Sequence, residues 1–219
     1  MEELSRILFT GALTLGIRLG PEQRALFSAF LDELLLWNRK VNLVAEASPP
    51  EIIVRHFLDS LTPVPFIAGK EGILLDIGTG AGFPGIPLKI ALPGLRVSLL
   101  DASRKKTSFL KHVIRRLPLM GTTVIHKRVE QTLQEEMYQS CFDTVISRAA
   151  VKLPELVSIA GYFLATGGRL LAMKGANIEE ELAEASPVAT SAGLVHAGYH
   201  LLDLPVTRSP RIIVVYRKT

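Results

Sequence analysis

The 219-residue chain holds one cysteine, Cys141. No internal disulfide can form, so a reducing compartment is expected. A thiol just ahead of a strand and away from the glycine loop reads as core, not as a nucleophile. No stretch suits a membrane span. The longest run without Asp, Glu, Lys or Arg, Ala185 to Leu202, is interrupted by Ser, Pro, Thr, Gly and His. The opening MEELSR is acidic and has no basic signal-peptide start. No G-x-x-x-x-G-K-[ST] occurs, which excludes a P-loop. None of the five histidines has metal-ligand spacing, and His196 and His200 fall in a strand-like region where i,i+4 does not bring them together. The expectation is a soluble, cytoplasmic, monomeric protein without a metal site. With 48% hydrophobic residues it has ample material for a core.

Acid is missing from one segment. Residues 102–129 carry eight basic residues and no Asp or Glu: Arg104, Lys105, Lys106, Lys111, Arg115, Arg116, Lys127 and Arg128. Elsewhere the two signs nearly balance, so this segment accounts for the net charge of +4. Such a run is either a solvated helix face or a patch for a polyanion.

What is present is an ordered alternation. Residues 2–15, 22–38 and 50–61 read as three helices, and residues 1–70 as a helical extension packed on the domain 71–219. In the third helix Arg55 and Asp59 share a face. After Gly72 strands and helices alternate. Strands are predicted at 73–77, 96–100, 123–126, 142–147 and 169–173, with helices at 84–92, 103–117, 129–137, 153–164 and 178–184. Strands at about 194–203 and 211–217 follow with no helix between them. This pattern implies an α/β fold with a doubly wound, mostly parallel seven-stranded sheet and one antiparallel strand. Ligands then bind at the carboxyl ends of the strands.

The central motif is Leu75-Asp76-Ile77-Gly78-Thr79-Gly80-Ala81-Gly82-Phe83-Pro84-Gly85. Gly78, Gly80 and Gly82 follow a buried strand and let the backbone lie against a ligand. Asp101 ends the next strand, where a carboxylate can accept ribose hydroxyls. The segment formally satisfies G-x-G-x-x-G, so a nicotinamide-dependent oxidoreductase is one reading. Asp76 favours another. A dinucleotide has little use for a carboxylate inside the strand, whereas the ammonium of S-adenosylmethionine can use one. A small-molecule methyltransferase would give the basic segment no purpose, and an idle RNA-binding module would have no need of Asp76, the glycine loop and Asp101.

The chain resembles the RsmG (GidB) family of bacterial 16S rRNA guanine-N7 methyltransferases. The resemblance spans essentially all 219 residues. Its carriers are Trp37-Asn38 with Asn42-Leu43, Arg55-His56-Phe57-Leu58-Asp59-Ser60, Asp76 to Leu88, Leu100 to Ser103 with Lys105 to Leu110, Arg128-Val129-Glu130, Ile146-Ser147-Arg148-Ala149 and Lys174-Gly175. Val44 and Ala81 depart from it, standing where members often have Thr and Pro. The resemblance implies a class I S-adenosylmethionine-dependent methyltransferase fold with an N-terminal helical extension. It implies cofactor contacts at Gly78, Phe83, Asp101, Ala102, Ser103, Val129, Glu130 and Arg148. It also implies methylation in the 530 loop of 16S rRNA, free or within the 30S subunit. Arg148 is the leading residue at the reacting centre, orienting base or cofactor. Its plainer alternative is a structural salt bridge. Arg55, His56 and Asp59 are candidates for a second wall from the N-terminal helices, with Arg55 and His56 toward RNA, Lys174 for a phosphate contact, and the basic helix for further phosphates. Phe83 is read as a cover for the cofactor or as core, and Trp37 as core more than as a base-stacking ring. No Asn-Pro-Pro-aromatic motif follows the fourth strand; Ser147-Arg148-Ala149-Ala150 stands there instead.

Overall fold

The computed structural model describes residues 2–45, 48–67, 69, 71–148 and 150–219. Ala149, one of the motif residues, and position 70, the expected boundary, lie outside them.

Helices α1 (Glu2–Thr14) and α2 (Pro21–Asn38) lead into a third helical stretch. That stretch is α3 (Pro49–Ile52), a π-helical turn (Ile53–Leu58) and α4 (Asp59–Leu61) in continuous succession. Proline at the first turns of α2 and α3 suits its fixed φ and missing N–H. The Asn38 side chain fixes the turn after α2, accepting from the Leu43 amide (2.7 Å) and the Val44 amide (3.1 Å).

The strands are β1 (Ile73–Ile77), β2 (Arg96–Leu100), β3 (Thr122–Ile125), β4 (Phe142–Arg148), β5 (Leu164–Lys174), β6 (Leu194–Asp203) and β7 (Pro210–Lys218). They form one sheet in the order β3-β2-β1-β4-β5-β7-β6. Only β7 runs against its neighbours, as the two terminal apolar runs without a helix between them require. Connecting helices are α5 (Gly85–Ala91), α6 (Arg104–Arg116), α7 (Val129–Thr132), α8 (Leu153–Phe163) and α9 (Glu179–Ser191).

Three expectations shift. The helix predicted for 129–137 stops at Thr132, whose hydroxyl donates back to the Val129 carbonyl (2.6 Å), and a short 3-10 turn follows at Glu136–Tyr138. The helix predicted for 178–184 continues to Ser191 through Pro187. Buried Ala185 and Ala189 belong to the same core cluster as α8, and this packing offsets the lost hydrogen bond. Cys141 is exposed, not core, because it precedes β4 in a surface turn.

The extension is joined to the sheet by aromatic packing. Phe30 of α2 stacks on Phe57 (5.3 Å between centroids) and touches Phe83 (5.5 Å) and Phe109 (6.4 Å). Trp37 is half-buried against Phe109 and His112, so its ring is taken by packing. One continuous apolar cluster therefore runs from α2 to the glycine loop and α6.

Candidate active site

Strand order reverses between β1 and β4, which opens a crevice at their carboxyl ends. Asp76 reaches it from β1 and Arg148 from β4.

Asp76 is fully buried. Its Oδ2 accepts the Thr79 hydroxyl (2.6 Å) and the Gly85 amide (2.8 Å), which pins both ends of the loop. Its Oδ1 is buried with no partner among the described residues. Burial raises the Asp76 pKa to about 6 against the opposing pull of Thr79, Gly85 and Arg148. A buried carboxylate oxygen without a donor is a natural seat for an ammonium group. Gly78, Gly80 and Gly82 all take positive φ, between 60° and 95°, which explains glycine at these three positions.

Asp101 is half-buried and locks the loop to β2. Its Oδ2 accepts the Gly80 amide (2.9 Å) and its Oδ1 the Ser103 amide (2.7 Å). Ser103 in turn caps α6. Ala102 accepts from His126 through its carbonyl (3.2 Å). Val129 is half-buried and Glu130 exposed at the start of α7, after β3. The Phe83 ring is buried against Phe30 and Phe57 and lies under His56 (4.8 Å). It is core and cannot cover a cofactor; only its backbone borders the loop.

Arg148 is a junction. Its Nη1 donates to Asp59 Oδ2 (3.0 Å) and to the Arg55 carbonyl (3.0 Å), and its Nη2 donates to His56 Nδ1 (2.8 Å). A guanidinium only donates, so His56 Nδ1 is the acceptor and the neutral imidazole carries its proton on Nε2. The Arg148 guanidinium also sits 5.3 Å from the Phe83 centroid, within cation–π range. The salt bridge is therefore real, yet two of the five Arg148 N–H groups keep no partner among the described residues.

Arg211 was missed by sequence reasoning. The antiparallel register pairs Ile212 with Lys174 and so brings the start of β7 to the strand ends. Arg211 Nε donates to Asp59 Oδ1 (2.8 Å), so Asp59 holds two guanidiniums from distant strands. A cleft of about 350 Å³ opens beside them, bordered by Asp59, Arg148, Met173, Lys174, Gly175 and Arg211. Lys174 borders it without offering a free charge. Its ammonium donates to Glu181 (2.8 Å) and the Val151 carbonyl (3.0 Å), which corrects the expectation of a phosphate contact.

Of the basic segment, Arg104, Lys105, Lys111 and Arg115 are exposed on α6, and Arg128 is exposed ahead of α7. Lys106 is half-buried with its ammonium near Gly80. Arg116 faces Glu33 of α2 (3.4 Å), and Lys127 pairs with Glu135 (2.6 Å). Among the described residues no group of three or more His, Cys, Asp or Glu can hold a metal ion, and no helix is long and apolar enough to cross a membrane.

Sheet order, glycine loop and acidic strand ends together define a class I S-adenosylmethionine-dependent methyltransferase. Solved structures share the fold. A predicted O-methyltransferase from Agrobacterium tumefaciens matches with a TM-score of 0.55 at 19% identity, covering 69% of this chain and 76% of that one. TYW2 from M. jannaschii, solved with AdoMet, matches with 0.55 at 17%, covering 69% and 70%. The family profile of GidB, rRNA small subunit methyltransferase G, matches residues 23–207, and the chain belongs to this family. Ribosomal RNA small subunit methyltransferase G of Syntrophus aciditrophicus is 42% identical over 98% of this chain and 89% of that protein. The Desulfitobacterium hafniense protein of the same name is 42% identical over 94% and 85%.

Proposed function

We propose that the protein transfers the methyl group of S-adenosylmethionine to N7 of a guanine in the 530 loop of 16S rRNA. One observation carries the choice of atom. The carboxylates bordering the crevice are committed, apart from Asp76 Oδ1, which is buried where the cofactor ammonium would sit, and Glu130, which is exposed at the start of α7. Asp76 and Asp101 hold loop amides, Asp59 holds two guanidiniums, and Glu181 holds Lys174. His56 spends its lone pair on Arg148. The described residues thus present no evident general base. Guanine N7 needs none, since it attacks through a free lone pair and loses no proton.

The residues present fit the cofactor. Asp76 Oδ1 would take its ammonium, and the glycine loop and the strand end at Asp101 to Ser103 would border its ribose. When bound, the cofactor supplies an electrophilic methyl on a sulfonium. The protein's own task is alignment for an in-line displacement, which is worth several orders of magnitude. Arg148, braced by Asp59, His56 and Phe83, has donors left for the guanine O6 or for the cofactor. The exposed cations of α6 would hold phosphates, which set register without reading sequence.

The test is methyl transfer from labelled S-adenosylmethionine to 30S subunits and to protein-free 16S rRNA, both lacking the modification. Borohydride reduction, aniline cleavage and primer extension then map N7-methylguanine. A single stop in the 530 loop supports the assignment. Transfer to another atom or site overturns it.

A further inference from the structure

A cavity of about 470 Å³ opens between α1, α2 and the π-helical turn, and it shares no lining residue with the active cleft. It exists because α1 leans on the π-helical turn and barely meets α2. Glycine at position 11 allows that approach, since a Cβ there would run into the Leu58 side chain. Leu8, Phe27, Leu31, Ile53 and Phe57, all buried, form the apolar floor. Water finds few partners against such a floor, so an apolar occupant displaces it favourably. Two exposed arginines stand at the mouth. The Arg24 guanidinium lies 4.2 Å from the Phe9 centroid and spends only Nε, on the Leu19 carbonyl (3.0 Å). Its four Nη protons have no hydrogen-bond partner among the described residues, and Arg6 has neither a hydrogen bond nor an ion pair among them. Among the described residues no Asp, Glu, His, Cys or Lys borders the cavity, so it offers binding and no evident chemistry.

We propose that this cavity is a binding site for a small amphipathic anion, an apolar body ending in a carboxylate. Concave sites of several hundred Å³, mostly apolar with a few convergent polar groups, are the common form for small molecules. Buried floor and exposed arginines set the polarity, with the apolar end inward and the charged end at the mouth. A guanidinium takes carboxylate oxygens in pairs, and no carboxylate of the lining competes for it. The proposal is independent of the RNA substrate, and its test needs no methyl transfer.

Hexanoate is titrated calorimetrically into the full chain, with 1-hexanol and hexylammonium as controls. One-to-one binding of hexanoate with a Kd of about a millimolar is expected, 1-hexanol binding about tenfold more weakly and hexylammonium more weakly still. Arg6→Gln with Arg24→Gln, both at the surface, should reduce hexanoate to the affinity of 1-hexanol and leave 1-hexanol unchanged. Ser28→Phe, which sends a ring into the cavity from the half-buried face of α2, should abolish binding of both, with thermal denaturation reporting that the variant folds. Should it fail to fold, the arginine variant decides alone through the ratio of the two affinities. Hexanoate binding that the variants leave intact overturns the site, as does a wild type that binds nothing saturably. Equal affinity for hexanoate and 1-hexanol overturns the anion. Concentration-dependent dimerisation of the wild type that Ser28→Phe removes would assign the cavity to a second copy of the chain, and also overturns the proposal.

Discussion

Asp76 accepts the Gly85 amide through Oδ2 at 2.8 Å, which turns that oxygen toward the loop and leaves Oδ1 buried without a partner among the described residues. The loop is thus held in shape by one half of a carboxylate while the other half stays available. With a pKa of about 6 in the cofactor-free protein, this group must be ionised to receive an ammonium. Cofactor affinity should therefore fall about tenfold between pH 7 and pH 5. Calorimetric titration in buffers of different ionisation enthalpy reads both the affinity and the proton release. Asp76→Asn should bind weakly and lose the pH dependence. The stability effect has the opposite sense. A raised native pKa means the native state binds the proton more tightly, so cofactor-free stability falls as pH climbs from about 4 to about 6, and the loss persists above.

Gly85 permits that contact because it has no side chain. A Cβ there would run into Leu99 and lie 2.8 Å from Asp76 Oδ2. Gly85→Ala should cost about 1–3 kcal/mol by overpacking. At about 2–4 °C per kcal/mol, thermal denaturation resolves the drop. Cofactor affinity should fall as well, because the Asp76 carboxylate must move.

Asp59 joins Arg148 and Arg211, and it is nearly buried. Asp59→Ala leaves two guanidiniums without their shared acceptor and should cost about 3–5 kcal/mol. Arg148→Lys keeps the charge and loses the fork that reaches Asp59, the Arg55 carbonyl and His56 together. Its kcat should fall at least about tenfold with cofactor affinity within a few-fold, since alignment is lost before binding. A variant with kcat intact would make Arg148 a purely structural strut.

The architecture was readable because its signals are local. Apolar runs of four to seven residues alternate with helical spacing, and Asp76, the glycines and Asp101 stand at strand ends where the topology converges. What local spacing cannot carry stayed hidden. The Arg211–Asp59 bond closes 152 residues of separation, and only the register of β7 brings it about. The π-helical turn at Ile53–Leu58 shows the same apolar pattern as an α-helix. Phe83 reads alike as a cover or as core until α2 is placed against it. Lys174 looked free because its partner, Glu181, belongs to a helix that the sequence placed only approximately.

The basic helix divides into cations that are free and cations that are held. Lys111 and Arg115 are exposed with no ion pair among the described residues, whereas Arg116 faces Glu33. A cation already neutralised releases fewer counterions when it meets a phosphate. Lys111→Gln with Arg115→Gln should therefore raise KM for 30S several-fold and lower the slope of log affinity against log salt by roughly 1–2. Arg116→Gln should do less, and cofactor affinity should stay constant in both. Lys174→Gln belongs with the held group. It should leave the salt slope unchanged and lower thermal stability, because the Val151 carbonyl loses its donor and Glu181 loses its cation, keeping only the Leu153 amide. Equal slopes for all three variants would mean that the patch does not meet RNA through α6, and that phosphate contact lies elsewhere on the protein.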